Sequence, residues 1–293
     1  MLQTCNQSIM HPASFYNTFH GHRVELLDVL HTAAREERLP ITWLAGDSSL
    51  DNKFWVKHCS PHKRNQMTRL FDLDRIKPDV AYWMNEGNPD RMTINTAVEE
   101  STLADRKTSL LPQDDFIKDH IRPEDVLIVS VGCNDIVHKP TRMTEIAMAA
   151  LLLSPSWVLR HVTLPYFTTI FKKRTAAYID ALIAKEKPKH VFVCMIYYPD
   201  ENSMERSWAG DMLAKIGYNA NPQKLQLIIR RLYETATSKV RIKGVNVQPV
   251  PLHRVLNGKY SSDYTDRVEP SEKGGRKMAD HFNHRIRNLS ESE

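Results

Sequence analysis

Five short apolar runs punctuate the chain, and the stretches between them carry apolar residues at helical spacing. The runs are Ile41 to Ala45 after Pro40, Met92-Thr93-Ile94, Asp125 to Val131, Val191 to Ile196, and Val245 to Val250. Unbroken apolar character implies strands buried on both faces, as in a parallel sheet. Helical spacing recurs at Val24, Leu27, Val29, Leu30 and Ala33, and again through Tyr166, Phe167, Ile170, Phe171, Ile179, Leu182 and Ile183. Pro222 suits the first turn of a helix running to about Ser238, and Met278, Ala279, Phe282 and Ile286 give the last helix its buried face. Residues 50–58 predict one or two helical turns, whereas 60–90, with Tyr82 and Trp83, has no clear period. Alternating strands and helices predict an α/β fold: one three-layer α/β/α domain over residues 1–293, with a central five-stranded parallel sheet.

Composition narrows the function classes. The 40 basic and 35 acidic residues give a net charge of +5 but are mixed along the chain, with no basic arm, so no nucleic-acid partner is expected. The longest uncharged apolar run, Ile146 to Leu153, stops at Ser154-Pro155, short of the about 20 residues that span a bilayer. The first twenty residues contain no apolar core of a secretory signal. Cys5, Cys59, Cys133 and Cys194 have no paired spacing and read as free thiols in a reducing compartment. The expectation is a cytoplasmic protein acting on a small molecule, without cofactor or resident metal; oligomeric state is left open.

Candidate chemistry gathers where strands end, because ligands of open α/β sheets bind beyond the carboxyl ends of the strands. Ile41 to Ala45 ends in Gly46-Asp47-Ser48, the second run ends in the loop Asn95 to Thr102, and the third ends in Gly132-Cys133-Asn134-Asp135. A fourth loop, Asp266-Arg267-Val268-Glu269-Pro270-Ser271, precedes the final helix. In order and spacing these blocks, at about 44–50, 95–102, 131–135 and 266–274, resemble the SGNH or GDSL hydrolases. That resemblance implies a flavodoxin-like sheet and hydrolysis of an ester, carboxylesterase- or lipase-like. It makes Ser48 the nucleophile, with Gly46, Asp47 and Gly132 supporting. The oxyanion donors would be the backbone N–H groups of Ser48 and Glu100 and the Asn134 amide, which donates without adding charge. Ser49 reads as a helix cap.

Two departures from the family pattern matter. The fourth block keeps Asp266, Pro270, Ser271 and Gly274 but has Glu269 where the family's general-base histidine stands. An ordinary glutamate, with a pKa of about 4.3, is a poor match for taking and returning a serine proton at neutral pH, although burial beside Asp266 would raise it. In the second block Glu99-Glu100 replaces the usual glycine; the two read as solvated or paired with Arg106 or Lys107. His138 and His253 are alternative bases, and Asp47, Asp266 and Glu269 around a divalent cation is a further alternative. A catalytically degenerate protein binding an ester- or carbohydrate-like ligand is the non-enzymatic reading. Residues 141–165 form a candidate lid segment whose apolar helix reads first as core, and Arg267, Lys273 and Arg276 read as a solvated helix start.

Overall fold

The apolar runs form five strands of one parallel sheet, β1 (Ile41–Gly46), β2 (Met92–Asn95), β3 (Val126–Ser130), β4 (His190–Met195) and β5 (Asn246–Pro251). A computed structural model of the chain describes residues 9–138, 140–155, 157, 159, 165–204 and 207–290. Helices cover both faces of this sheet, so β1 and β3 are buried at every position and have no polar face to alternate with. On one side, helices Val80–Gly87 and Glu272–Ser290 pack on each other. On the other, Val24–Glu36, Pro112–His120, Thr175–Leu182 and Pro222–Thr235 follow in turn, the last of these meeting Pro165–Thr168. Among the described residues no helix is long and apolar enough to cross a membrane.

The strand order β2-β1-β3-β4-β5 determines where a ligand fits. The chain steps from β1 to β2 on one side and returns to β3 on the other, so the connections diverge and leave a crevice beyond the carboxyl ends of β1 and β3. Gly46 pairs in register with Ser130 at that end. Its φ is 147°, and a Cβ there would stand 1.9 Å from the Ser130 carbonyl oxygen, so only glycine lets β1 end this close to β3.

Two local expectations give way. The stretch without a clear period holds helix Val80–Gly87, which Asp79 caps by accepting the Tyr82 N–H at 2.7 Å. Its residues are buried from Val80 through Asn85, nearly all round, so there was no amphipathic stripe to read. After Ser48 the chain makes a tight turn and then a single 3-10 turn at Asn52–Phe54, within the one or two helical turns expected over 50–58. Ser49 caps no helix: its N–H and hydroxyl donate to Asp47 Oδ1 at 3.1 and 2.7 Å, and the Ser130 hydroxyl lies 2.7 Å from its own.

Candidate active site

All four loops converge on the crevice. From β2 the chain runs beside the end of β1, with Val98 N–H donating to the Gly46 carbonyl (3.0 Å) and the Asn95 amide to the Leu50 carbonyl (2.9 Å). The Asp135 carboxylate accepts the Leu103 and Ala104 N–H groups at 2.8 and 3.1 Å, which ties the third loop to the second. The fourth loop is a hairpin of β6 (Tyr264–Thr265) and β7 (Glu269–Pro270). Asn52 anchors it, donating from Nδ2 to the Pro270 carbonyl at 3.1 Å while Oδ1 accepts the Val80 N–H at 3.0 Å.

This anchoring turns Glu269 inward. Ser48 and Glu269 line the same two cavities. Glu269 is only 3% exposed, and burial, then the nearby Asp47 carboxylate, push its pKa up to about 8, with Asp266 and Asp51 adding to the rise and the Ser48 hydroxyl opposing it. Its Oε2 has no hydrogen-bond partner among the described residues. Asp266 takes part through charge. Its Oδ1 accepts the Trp208 N–H at 2.8 Å, its carbonyl accepts the Ser207 hydroxyl at 2.7 Å, and among the described residues no hydrogen bond joins it to Glu269.

Glu99 is neither solvated nor paired with Arg106. It is buried, its Oε1 accepts the Trp55 indole N–H at 3.4 Å, and its Oε2 has no partner among the described residues. Burial, then Glu269 and Asp51, push its pKa up to about 9. Its backbone N–H donates to Asp51, which in turn holds the buried Lys53 ammonium through both carboxylate oxygens at 2.6 Å. Arg106 instead braces the β1 turn, donating to Asp114 at 2.8 Å and to the Gly46 carbonyl at 3.1 Å. The sequence placed Glu99 in solvent rather than in the cavity, and it gave no signal for Asp51 and Lys53, which lie behind the site.

Glu100 has φ 60°, the left-handed conformation that explains a glycine preference at this place. Among the described residues neither its N–H nor that of Ser48 donates to a protein acceptor, while Asn134 Nδ2 spends one hydrogen on the Ser101 carbonyl at 3.1 Å. Gly132, with φ 99°, lets the third loop pass the Phe171 ring, 3.0 Å from where a Cβ would be. Arg267 is buried rather than solvated, and its Nη2 donates to the Asp200 carbonyl and Asn219 Oδ1 at 3.1 and 3.0 Å.

Two cavities meet here, of about 560 and 310 Å³, and Ser48, Asn134, Trp208 and Glu269 line both. The larger is walled by apolar residues including Met148, Leu152, Phe171, Leu225, Ile228 and Leu232. Helix Arg142–Leu153, from the candidate lid segment, gives this cavity one face and exposes Met143, Ile146 and Leu153 on the other, so it is a wall rather than core. Residues 156, 158 and 160–164 of that segment lie outside the described residues. The smaller cavity includes Phe19, Phe54, Trp55, Glu99 and His138. His138 Nε2 stands 3.9 Å from Glu100 Oε2. His253 lines neither cavity: it stacks on Tyr198 with ring centroids 5.2 Å apart, and burial, then Arg254 and Arg230, lower its pKa to about 4.

The divalent-cation alternative fails on geometry. Among the described residues the one group of three such side chains close enough to share an ion is Asp28, His31 and His120; Asp47, Asp266 and Glu269 are not among them. Asp47 is turned toward Ser49, and burial raises its pKa to about 6.

No family model matches the sequence, and no curated protein matches it. In solved structures, the chain is similar to lipases. An extracellular lipase from Streptomyces rimosus aligns at 12% identity and a TM-score of 0.44, over 84% of this chain and 99% of the lipase. A phospholipase A1 from Streptomyces albidoflavus aligns at 14% identity and a TM-score of 0.39, over 84% of this chain and 99% of the other. A Bacillus subtilis protein aligns at 13% identity and a TM-score of 0.44 over 86% of this chain, which spans 57% of that protein's length.

Proposed function

We propose that this chain is a serine esterase of the SGNH type in which Glu269 replaces the histidine base. The observation that carries the reading is that Ser48 and the buried Glu269 carboxyl group line the same junction of two cavities, beyond the carboxyl ends of β1 and β3. Burial makes the replacement chemically reasonable. A base works best with a pKa near the working pH, and a carboxyl group at about 8 is far closer to that than an exposed glutamate.

In the proposed reaction ionised Glu269 takes the Ser48 proton as Oγ attacks the ester carbonyl. The oxyanion is received by the N–H groups of Ser48 and Glu100 and by the second amide hydrogen of Asn134. Protonated Glu269 then delivers its proton to the departing alkoxide, leaving an acyl-serine that water hydrolyses by the same steps. The larger cavity, apolar along most of its wall, takes the acyl chain. Hydrolysis of nitrophenyl esters by wild type and by Ser48→Ala tests the reading. Activity that falls to background in the variant is expected; equal hydrolysis by both proteins overturns it.

A further inference from the structure

The smaller cavity differs in kind from the apolar one. Phe19, Phe54, Trp55 and Trp208 share it with Glu99 and Glu269. Phe19 and Phe54 meet at 90° with centroids 4.7 Å apart, and Phe54 and Trp55 at 86° and 5.4 Å, so the rings make a folded wall. Phe54 and Trp208 are about half exposed, at 54% and 49%, so the mouth of this cavity is open to a ligand from solvent. Glu99 and Glu269 are more than nine-tenths buried and each keeps a carboxyl oxygen with no partner among the described residues. Buried polar atoms are normally satisfied, so these two oxygens need an explanation. The neighbouring cations do not supply it: Lys53 is held by Asp51, and Lys77 donates to the Lys53 carbonyl at 2.7 Å, 6.0 Å from the Phe54 ring centre.

We propose that this cavity receives an alkylated ammonium group carried on the alcohol side of the ester that Ser48 cleaves, with the acyl chain in the larger cavity. The inference rests on the serine-esterase reading for the bond cleaved, but the cation site stands on its own lining. Aromatic faces and carboxylates together favour a weakly hydrated organic cation, which gains both ring attraction and charge pairing. A metal ion is a poorer occupant, because among the described residues no group of three ligating side chains comes together here. The cation also favours the ionised forms of Glu99 and Glu269, so the substrate's own charge helps to prepare the base. The other charged groups around the pair are Asp47, Asp51 with Lys53, Asp266, Lys77, and Glu100 with His138.

The test compares choline with its uncharged carbon analogue 3,3-dimethylbutanol by calorimetric titration of the wild-type protein, and decanoylcholine with the decanoate of that alcohol as substrates. Choline is expected to bind at least about tenfold more tightly than the analogue, a modest demand for a ring-and-carboxylate site. Its binding should release protons and tighten as pH rises toward 9, because Glu99 and Glu269 give up protons there. Glu99→Gln should remove most of this preference, and Phe54→Ala, at an exposed ring whose loss leaves the core intact, should weaken it several-fold. Equal affinity for choline and its analogue, no detectable choline binding, or a preference unchanged in both variants overturns the proposal. The titration needs no turnover, so its failure is separate from that of the esterase reading. Ser48-dependent hydrolysis of both esters at equal rates would remove the cation site and leave the esterase standing.

Discussion

Two ends of the same sheet treat buried carboxylates in opposite ways. At the amino ends Asp125 is 1% exposed and accepts five donors: the Ile41 and Arg122 N–H groups, the Trp43 indole, and both terminal nitrogens of Arg35, at 2.6 to 3.1 Å. At the carboxyl ends Glu269 and Glu99 are nearly as buried, yet each has an oxygen without a partner among the described residues and a pKa pushed upward. Burial alone therefore does not mark a functional carboxylate. A saturated one fastens strands together, whereas an unsaturated one keeps its proton to higher pH, into the range where it can be exchanged with a serine. Backbone strain follows the same division, because three of the four described non-glycine residues with positive φ, Glu100, Asp266 and Arg267, lie in the site loops.

The sharpest way to break this contrast is to remove each kind of carboxylate. Asp125→Ala takes the bidentate partner from the part-buried Arg35 and leaves three further donors, the Ile41 and Arg122 N–H groups and the Trp43 indole, without their acceptor, and a loss of about 3 kcal/mol is expected in urea unfolding. Asn134→Ala removes a donor that is only half committed to the protein. It should lower kcat by about 100- to 1,000-fold and leave the unfolding midpoint nearly unchanged. Glu269→Gln should act in the opposite direction to Asp125→Ala on stability. A carboxyl group whose folded pKa is raised binds protons that the unfolded chain has released, so wild-type stability falls as pH rises from about 4.5 to about 8. The Gln variant lacks that fall, and its melting temperature should exceed wild type by a margin that grows across this window. The smallest effect belongs to Glu100→Gly, which relieves a left-handed side-chain residue and should stabilise by about 1 kcal/mol. Because the proposed role uses only its N–H, esterase activity should persist.

The strands were legible in the sequence because a parallel strand buried on both faces is written as an unbroken apolar run, and β3 is such a run. Helix Val80–Gly87 was not, because it is buried nearly all round and leaves no polar stripe to set a period. Four of the site's loops were legible from residue order alone. Their electrostatics were not: Glu99 beside Glu100 looks like a solvated pair until Trp55 and Asp51 close over it. Arg267 misleads in the same way, since its partners Asp200 and Asn219 lie 67 and 48 positions away along the chain.

The central claim is that Glu269 takes the proton of Ser48. Its most direct test is the rate at which a fluorophosphonate derivatises Ser48 between about pH 5 and about pH 9, in wild type and in Glu269→Gln, with the modified serine located by mass spectrometry. General-base assistance contributes about 100- to 10,000-fold, so the wild-type rate should climb toward a plateau above about pH 8, and the variant should be slower by that order and flat. Equal rates with the same pH profile in the two proteins would contradict the account.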